Sequence, residues 1–315
     1  MLKMKKTKAI FVLERLTAEK INRIIELGGN TIFVGHKNIS PRFAKKAKES
    51  GLKLFIEISL FVGKELLEKF PDSVPIDKYG RSMLSVDWYN GVCPNNQKIQ
   101  KLKLEEISKI LNTIDLDGLY LDFIRYPCHW EDVRSKDITE YCFCPTCKKL
   151  YAREKEGCLQ SKDWYQWKTN QITDFVRKIK LTVEDINKGI GLGIFSVPWR
   201  KKDYNNAIIK IIGQDFKRLS RTIDVFSPMT YHLMTGNNTN WISAMVSYFS
   251  DLTKKPVLPL IQTENKPSKL SAREFESTFN QAMKSPSSGV IVFFLEDLLK
   301  DKKKMEIVKN QFSSF

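Results

Sequence analysis

Unbroken runs of Ile, Val, Leu and Phe punctuate this chain, and between them apolar residues recur every three or four positions. The runs are AIFVL from Ala9, TIFVG from Thr31, LKLFIEI from Leu52, GLYLDF from Gly118, GIGLGIFSV from Gly189, DVFSPMTY from Asp224, PVLPLI from Pro256 and GVIVFFL from Gly289. They lack the apolar–polar alternation of a half-exposed strand, so they predict strands covered on both faces. The stretches between them carry helix punctuation. Thr17 precedes AEKINRIIEL, which Gly28 and Gly29 end. Ser40 and Pro41 supply an N-cap and a first-turn proline for a helix that stops at Gly51. Ser271 and Glu274 make a capping box before FESTFNQAM, and a long helix is predicted from about Lys162 to Lys188, stopped by Gly189. Strands that alternate with helices pair in parallel, and eight such units in 315 residues predict a (β/α)8 TIM barrel spanning 1–315 as a single domain.

The spacing is uneven in an informative way. The first units are only about 22 residues long, whereas the third and fourth strands are each followed by roughly 65 to 70 residues before the next strand. The extra chain, about 62–97 and 123–161, precedes the helix in each unit, which places two long loops on the carboxyl face of the barrel, where such folds build their sites. Tyr79, Trp88, Tyr89, Tyr126, Trp130, Tyr141 and Trp164 accumulate there, so the loops predict a cleft.

Composition narrows the class. With 42% hydrophobic and 11% aromatic residues the chain is an ordinary globular protein. Lys and Arg number 52 against 36 Asp and Glu, a formal charge of +16. The lysines are spread along amphipathic helical stretches and no recognition motif accompanies them, so they predict solvated faces and no nucleic-acid partner. The basic amino terminus leads into an apolar segment, Ala9 to Leu13, that is too short for a secretion signal and is followed at once by Glu14 and Arg15. No stretch reaches the roughly 20 apolar residues of a membrane span, so the expectation is a soluble, cytoplasmic protein with no membrane partner. The oligomeric state is open.

The chemistry concentrates at the strand ends. In DGLYLDFIRYP an apolar strand delivers Asp122 and Arg125 and is stopped by Pro127. A carboxylate at the end of a buried strand must be solvated, paired or used, and Arg125 could orient it and keep it ionised. Asp117 begins the same strand and so belongs to the opposite, structural end. This block resembles, together with VDWYNGVCPNN, YCFCPTCKKLY and IDVFSPMTYHLM, the glycosyl-hydrolase-like TIM barrels related to the glycosyl-hydrolase-like ten group. The resemblance covers nearly the whole chain and implies a (β/α)8 fold, a carbohydrate substrate and a catalytic Asp ending the fourth strand, here Asp122.

Cleaving a glycosidic bond takes two carboxyl groups, one protonated and one ionised. Glu264 follows the seventh strand and Glu296 the eighth, and either could be the acid beside Asp122; Glu57 lies inside the third strand and Glu14 ends the first. Family-eighteen chitinases carry an acid where this strand has Ile124, so a chitinase-type donor is missing, and the fifth strand carries no acid either. Tyr231 and His232 end the sixth strand and Trp199 the fifth, and with Trp88 and Trp130 they are candidates for sugar contacts. The expectation is a glycoside hydrolase acting on a poly- or oligosaccharide; the alternative is a glycan-binding barrel without catalysis.

Cys142, Cys144 and Cys147 form C-x-C-x-x-C, three thiolates within reach of one ion. A structural zinc needs a fourth ligand, which Cys128, His129, Cys93 or Cys158 could supply. Cys128 is the choice that would tie together both ends of the loop after Asp122.

Overall fold

The computed structural model describes residues 6–85, 88–132, 138–157 and 163–314. Its eight strands are β1 (Thr7–Val12), β2 (Thr31–Gly35), β3 (Lys53–Ser59), β4 (Gly118–Asp122), β5 (Gly191–Ser196), β6 (Val225–Pro228), β7 (Leu260–Gln262) and β8 (Gly289–Phe293). All pair in parallel in the order β6-β5-β4-β3-β2-β1-β8-β7. Parallel bridges Phe226↔Val257 and Met229↔Leu260 join β6 to β7 and bring the ends of the sheet together as a TIM barrel. The predicted windows for β5, β6 and β7 were longer than the strands observed: β6 ends at Pro228, and Met229 and Tyr231 beyond it line the barrel mouth, whereas β5 and β7 begin later than expected, at Gly191 and Leu260.

The interior explains why the strands are so aromatic. Rings of Phe11, Phe33, Phe55, Tyr120 and Phe195, one from each of β1 to β5, pack on one another with centroids 4.6–6.1 Å apart. Register pairs Phe55 with Gly118 and Tyr120 with Gly193. A Cβ on Gly118 would lie 2.2 Å from the Phe55 ring and one on Gly193 2.3 Å from that of Tyr120, so glycine makes room for a ring on the neighbouring strand. Phe11 and Phe195 form the top of this plug and the floor of the cleft above it.

The helices form the outer layer. Thr17 caps the helix Ala18–Glu26 through the Lys20 amide, and Asn96 caps Gln97–Thr113 through the amides of Lys98 and Ile99. The long helix runs from Trp164 to Ile186, and Pro41 opens Pro41–Glu49 although the Ser40 side chain makes no cap bond. Asp117, at the amino end of β4, accepts from the Leu54 amide at 2.7 Å and pairs with Lys48 at 2.9 Å, the structural role its position predicted. Both insertions lie on the carboxyl face and pair with one another, through the bridge Asp77↔Tyr141 and the Phe143 amide donating to Ile76 at 2.7 Å. No helix among the described residues is long and apolar enough to cross a membrane.

Candidate active site

The chain turns sharply as β4 ends. Phe123 has a φ of +50°, in the left-handed region, and its amide donates to Asp122 Oδ1 at 2.7 Å. The turn carries the buried Arg125 back, its guanidinium 4.5 Å from the Phe123 ring and its Nη1 3.7 Å from Asp122 Oδ1. Burial raises the Asp122 carboxyl above the ordinary aspartate range, and the Arg125 cation and the Phe123 amide oppose it. Arg125 Nε and Nη1 have no hydrogen-bond partner, so a buried cation faces this corner with donor capacity to spare.

Two further carboxyl groups belong to this corner. Burial, then the charge of Asp122, hold Glu57 of β3 well above the usual carboxylate range, against a 2.7 Å hydrogen bond from the Ser59 hydroxyl. Of these two neighbours Asp122 has the cation and the amide, so Asp122 is the one that ionises and Glu57 keeps its proton. Glu131, in the turn Trp130–Asp132, is pushed up to about 7 by burial, opposed by Arg125 and assisted by Asp122. Its Oε2 has no hydrogen-bond partner and lies 3.9 Å from His129 Nε2. His129 stacks on Tyr89 at 5.5 Å, and the Tyr89 hydroxyl accepts from the Cys128 amide at 2.8 Å, which braces the loop from below.

These groups line a cavity of about 520 Å³ at the barrel mouth. Glu57, Asp122, Glu131 and Glu264 face it among Phe11, Phe195, Phe293 and Phe294, and Trp88 stands at its rim, 57% exposed. Tyr231, whose hydroxyl is raised first by burial and then by Asp122, Glu131 and Glu264, sits within the field of three of the acids. It stacks on Trp130 at 6.1 Å. Trp130 and Glu131 also border a second groove of about 360 Å³, walled by Trp199, Tyr204 and Trp241.

Of the residues singled out from the sequence, the structure brings Asp122, Arg125, Glu264, Tyr231 and Trp88 together at the cavity, and Trp130 and Trp199 at the adjoining groove. Glu264 lies 3.4 Å from Lys266. His232 is elsewhere: it is fully buried, burial favours its neutral ring, and it hydrogen-bonds Glu274 at 3.2 Å, so the Glu274 side chain meets His232 while Ser271 caps the helix through the Glu274 amide. Glu296 is likewise outside the cavity lining. It accepts from the amides of Leu13 and Glu14, each at 3.1 Å, and pairs with Lys20 at 2.6 Å, so it fastens the end of β1. Sequence reasoning did not find Glu131, because nothing in HWED distinguishes a loop acid that returns to the mouth from one that faces water. Glu57 was visible only as an acid inside the third strand; the structure turns it to the cavity, where the Ser59 hydroxyl donates to it at 2.7 Å.

The cysteine cluster also differs from expectation in one member. Cys142, Cys144 and Cys147 come together with Cys93, all buried and with their sulfurs within 4.8 Å of one another. Cys128 is not among them; its amide donates to the Tyr89 hydroxyl and its thiol is pushed up to about 12 by burial, opposed by the charge of Arg125. Cys158 lies outside the described residues. The reason is topological: Cys93 reaches the knuckle because the two insertions pair side by side, a contact that no spacing within one loop reveals.

Comparison with known proteins agrees with the fold. The chain superimposes on the glycoside hydrolase domain of PgaB (BpsB) from Bordetella bronchiseptica with a TM-score of 0.72 at 11% identity, covering 98% of this chain and 99% of that one. It matches the β-galactosidase of the psychrophilic Marinomonas ef1 with a TM-score of 0.72 at 9% identity, over 97% of this chain and 58% of that one. For α-L-fucosidase isoenzyme 2 from Paenibacillus thiaminolyticus the TM-score is 0.68 at 13% identity, over 99% and 49%. This chain thus spans only about half the length of the galactosidase and fucosidase chains. No sequence among curated proteins matches it. A family model matches residues 26–280, most of the barrel and both insertions, and by that match the chain belongs to the family described as "Putative glycosyl hydrolase domain".

Proposed function

We propose that this barrel hydrolyses a glycosidic bond in a poly- or oligosaccharide, with Asp122 as the ionised carboxylate that attacks or activates water and Glu131 as the proton donor to the leaving oxygen. The observation that carries the reading is a pair of buried acids of opposite disposition at one aromatic-lined cavity: Asp122 has a cation and an amide to hold its charge, while Glu131 has an oxygen without a donor and a proton retained to about 7. Separating the ionisation of two neighbouring carboxyl groups is what acid–base cleavage of a glycoside requires. Trp88 at the rim and Trp199, Tyr204 and Trp241 in the adjoining groove offer flat apolar faces for sugar rings, which supports a chain of sugars over a single one. Glu264 and Lys266 at the opposite wall are suited to hydroxyl groups of the substrate.

The test is a glycan panel followed by two substitutions. Asp122→Asn should abolish turnover with the fold retained. Glu131→Gln should lose about 10²–10⁴-fold on the natural glycan, the usual worth of a general acid, and much less on an aryl glycoside whose leaving group needs no proton. A wild-type protein that binds glycans and cleaves none, or an Asp122→Asn variant with full activity, would overturn the reading.

A further inference from the structure

We infer that Cys93, Cys142, Cys144 and Cys147 form a structural zinc site that clamps the two insertions together over the barrel mouth. The four sulfurs, contributed by two separate loops, are buried and lie within 4.8 Å of one another. Zinc–thiolate bonds of about 2.3 Å at tetrahedral angles put sulfurs about 3.8 Å apart. Cys93 and Cys147 are 3.4 Å apart and Cys93 and Cys144 3.6 Å, far beyond the roughly 2.05 Å of a disulfide and close to the spacing around a shared ion. A saturated four-thiolate set leaves no open position for water, so the metal is structural and takes no part in the reaction.

The surroundings suit a negatively charged centre. Asn95 donates from Nδ2 to Cys147 Sγ at 3.1 Å, the outer hydrogen bond that a ligating thiolate commonly receives. Lys168, completely buried, donates to the carbonyl of Tyr141, which precedes Cys142, at 2.6 Å. Both groups also join the clamp to the rest of the molecule. The same Asn95 amide nitrogen lies 2.9 Å from the Tyr126 hydroxyl, and Tyr126 directly follows Arg125 in the turn that presents Asp122. Cys93 is itself held by its amide, which donates to Ser73 at 2.8 Å. The ion would therefore fix the first insertion against the second and, through Asn95 and Tyr126, steady the strand end beneath them.

The full chain purified under reducing conditions should contain about one zinc, released on treatment with a thiol-modifying mercurial. Cys93→Ser should weaken zinc binding at least tenfold, whereas Cys128→Ser should keep the full equivalent, since Cys128 stands outside the cluster. Should Cys93→Ser not fold, cobalt titrated into chelator-treated wild-type protein decides: tetrahedral visible bands with intense sulfur-to-metal charge transfer support the site. Metal-free wild-type protein that takes up no cobalt and whose thiols alkylate freely would overturn it, as would a Cys93→Ser variant that keeps its zinc, or iron found in zinc's place.

Discussion

Glu131 decides how the proposed reaction depends on pH. Its carboxyl is raised to about 7 because burial penalises the anion more than Arg125 relieves it. A general acid must carry its proton, so kcat/KM should fall about tenfold per pH unit above pH 7, and that limb should vanish in Glu131→Gln. A limb that persists unchanged in the variant would assign the proton donor elsewhere. Asp122 differs from Glu131 in legibility. An acid directly at the end of an apolar strand is marked by its position, whereas Glu131 lies nine residues further on, in a loop whose return to the mouth depends on the stacking of His129 on Tyr89 and of Trp130 on Tyr231.

At the scale of elements, Glu264 and Glu296 show how little separates an acid of the cleft from a fastener. Both follow a strand on the carboxyl face, and the sequence offers no ground for ranking them beyond position. The structure keeps Glu264 at the cavity wall and turns Glu296 toward β1, where two backbone amides and Lys20 hold it below the ordinary glutamate range despite its burial. Glu296→Ala leaves those amides without their acceptor and Lys20 with Glu14 as its remaining carboxylate partner, a loss of about 1–3 kcal/mol for hydrogen bonds to a charged group. The expected result is a Tm lower by several degrees with kcat within about twofold of wild type. A kcat loss above about tenfold at unchanged Tm would return Glu296 to the catalytic set.

For the whole molecule, the buried acids of the cleft set a direction for stability against pH. Glu57 and Glu131 have folded pKa values raised to about 8 and about 7, above those of an unfolded chain, so the native state binds more protons between about pH 4.5 and pH 8. Their contribution is complete at the acid end of that window and is lost as pH rises through it. At fixed ionic strength, Tm should therefore decline from pH 5 to pH 7.5, and Glu57→Gln, which keeps the shape without the ionisation, should flatten the decline and match or exceed wild type at neutral pH. A steeper decline in the variant would mean that Glu57 is ionised and paired. The formal charge of +16 acts on this background as general repulsion, relieved by salt, and so is separable from it.

The sequence by itself determined the barrel, the face that carries the long insertions and one acid of the proposed pair. Short apolar runs without alternation, rich in β-branched and aromatic residues, mark strands covered on both sides, eight of them with intervening helices fit a closed parallel barrel, and long segments between strand and helix emerge at the carboxyl face. These are local patterns with a fixed spatial meaning. Only the tertiary structure decided that Glu131 and Asp122 line one cavity, that burial beside Asp122 raises Glu57, that His232 and Glu296 turn away, and that Cys93 in place of Cys128 completes the thiol cluster. Each of those outcomes depends on side chains far apart in the sequence, 49 residues from Cys93 to Cys142 and 283 from Leu13 to Glu296, and on the pairing of two loops that spacing along the chain does not encode.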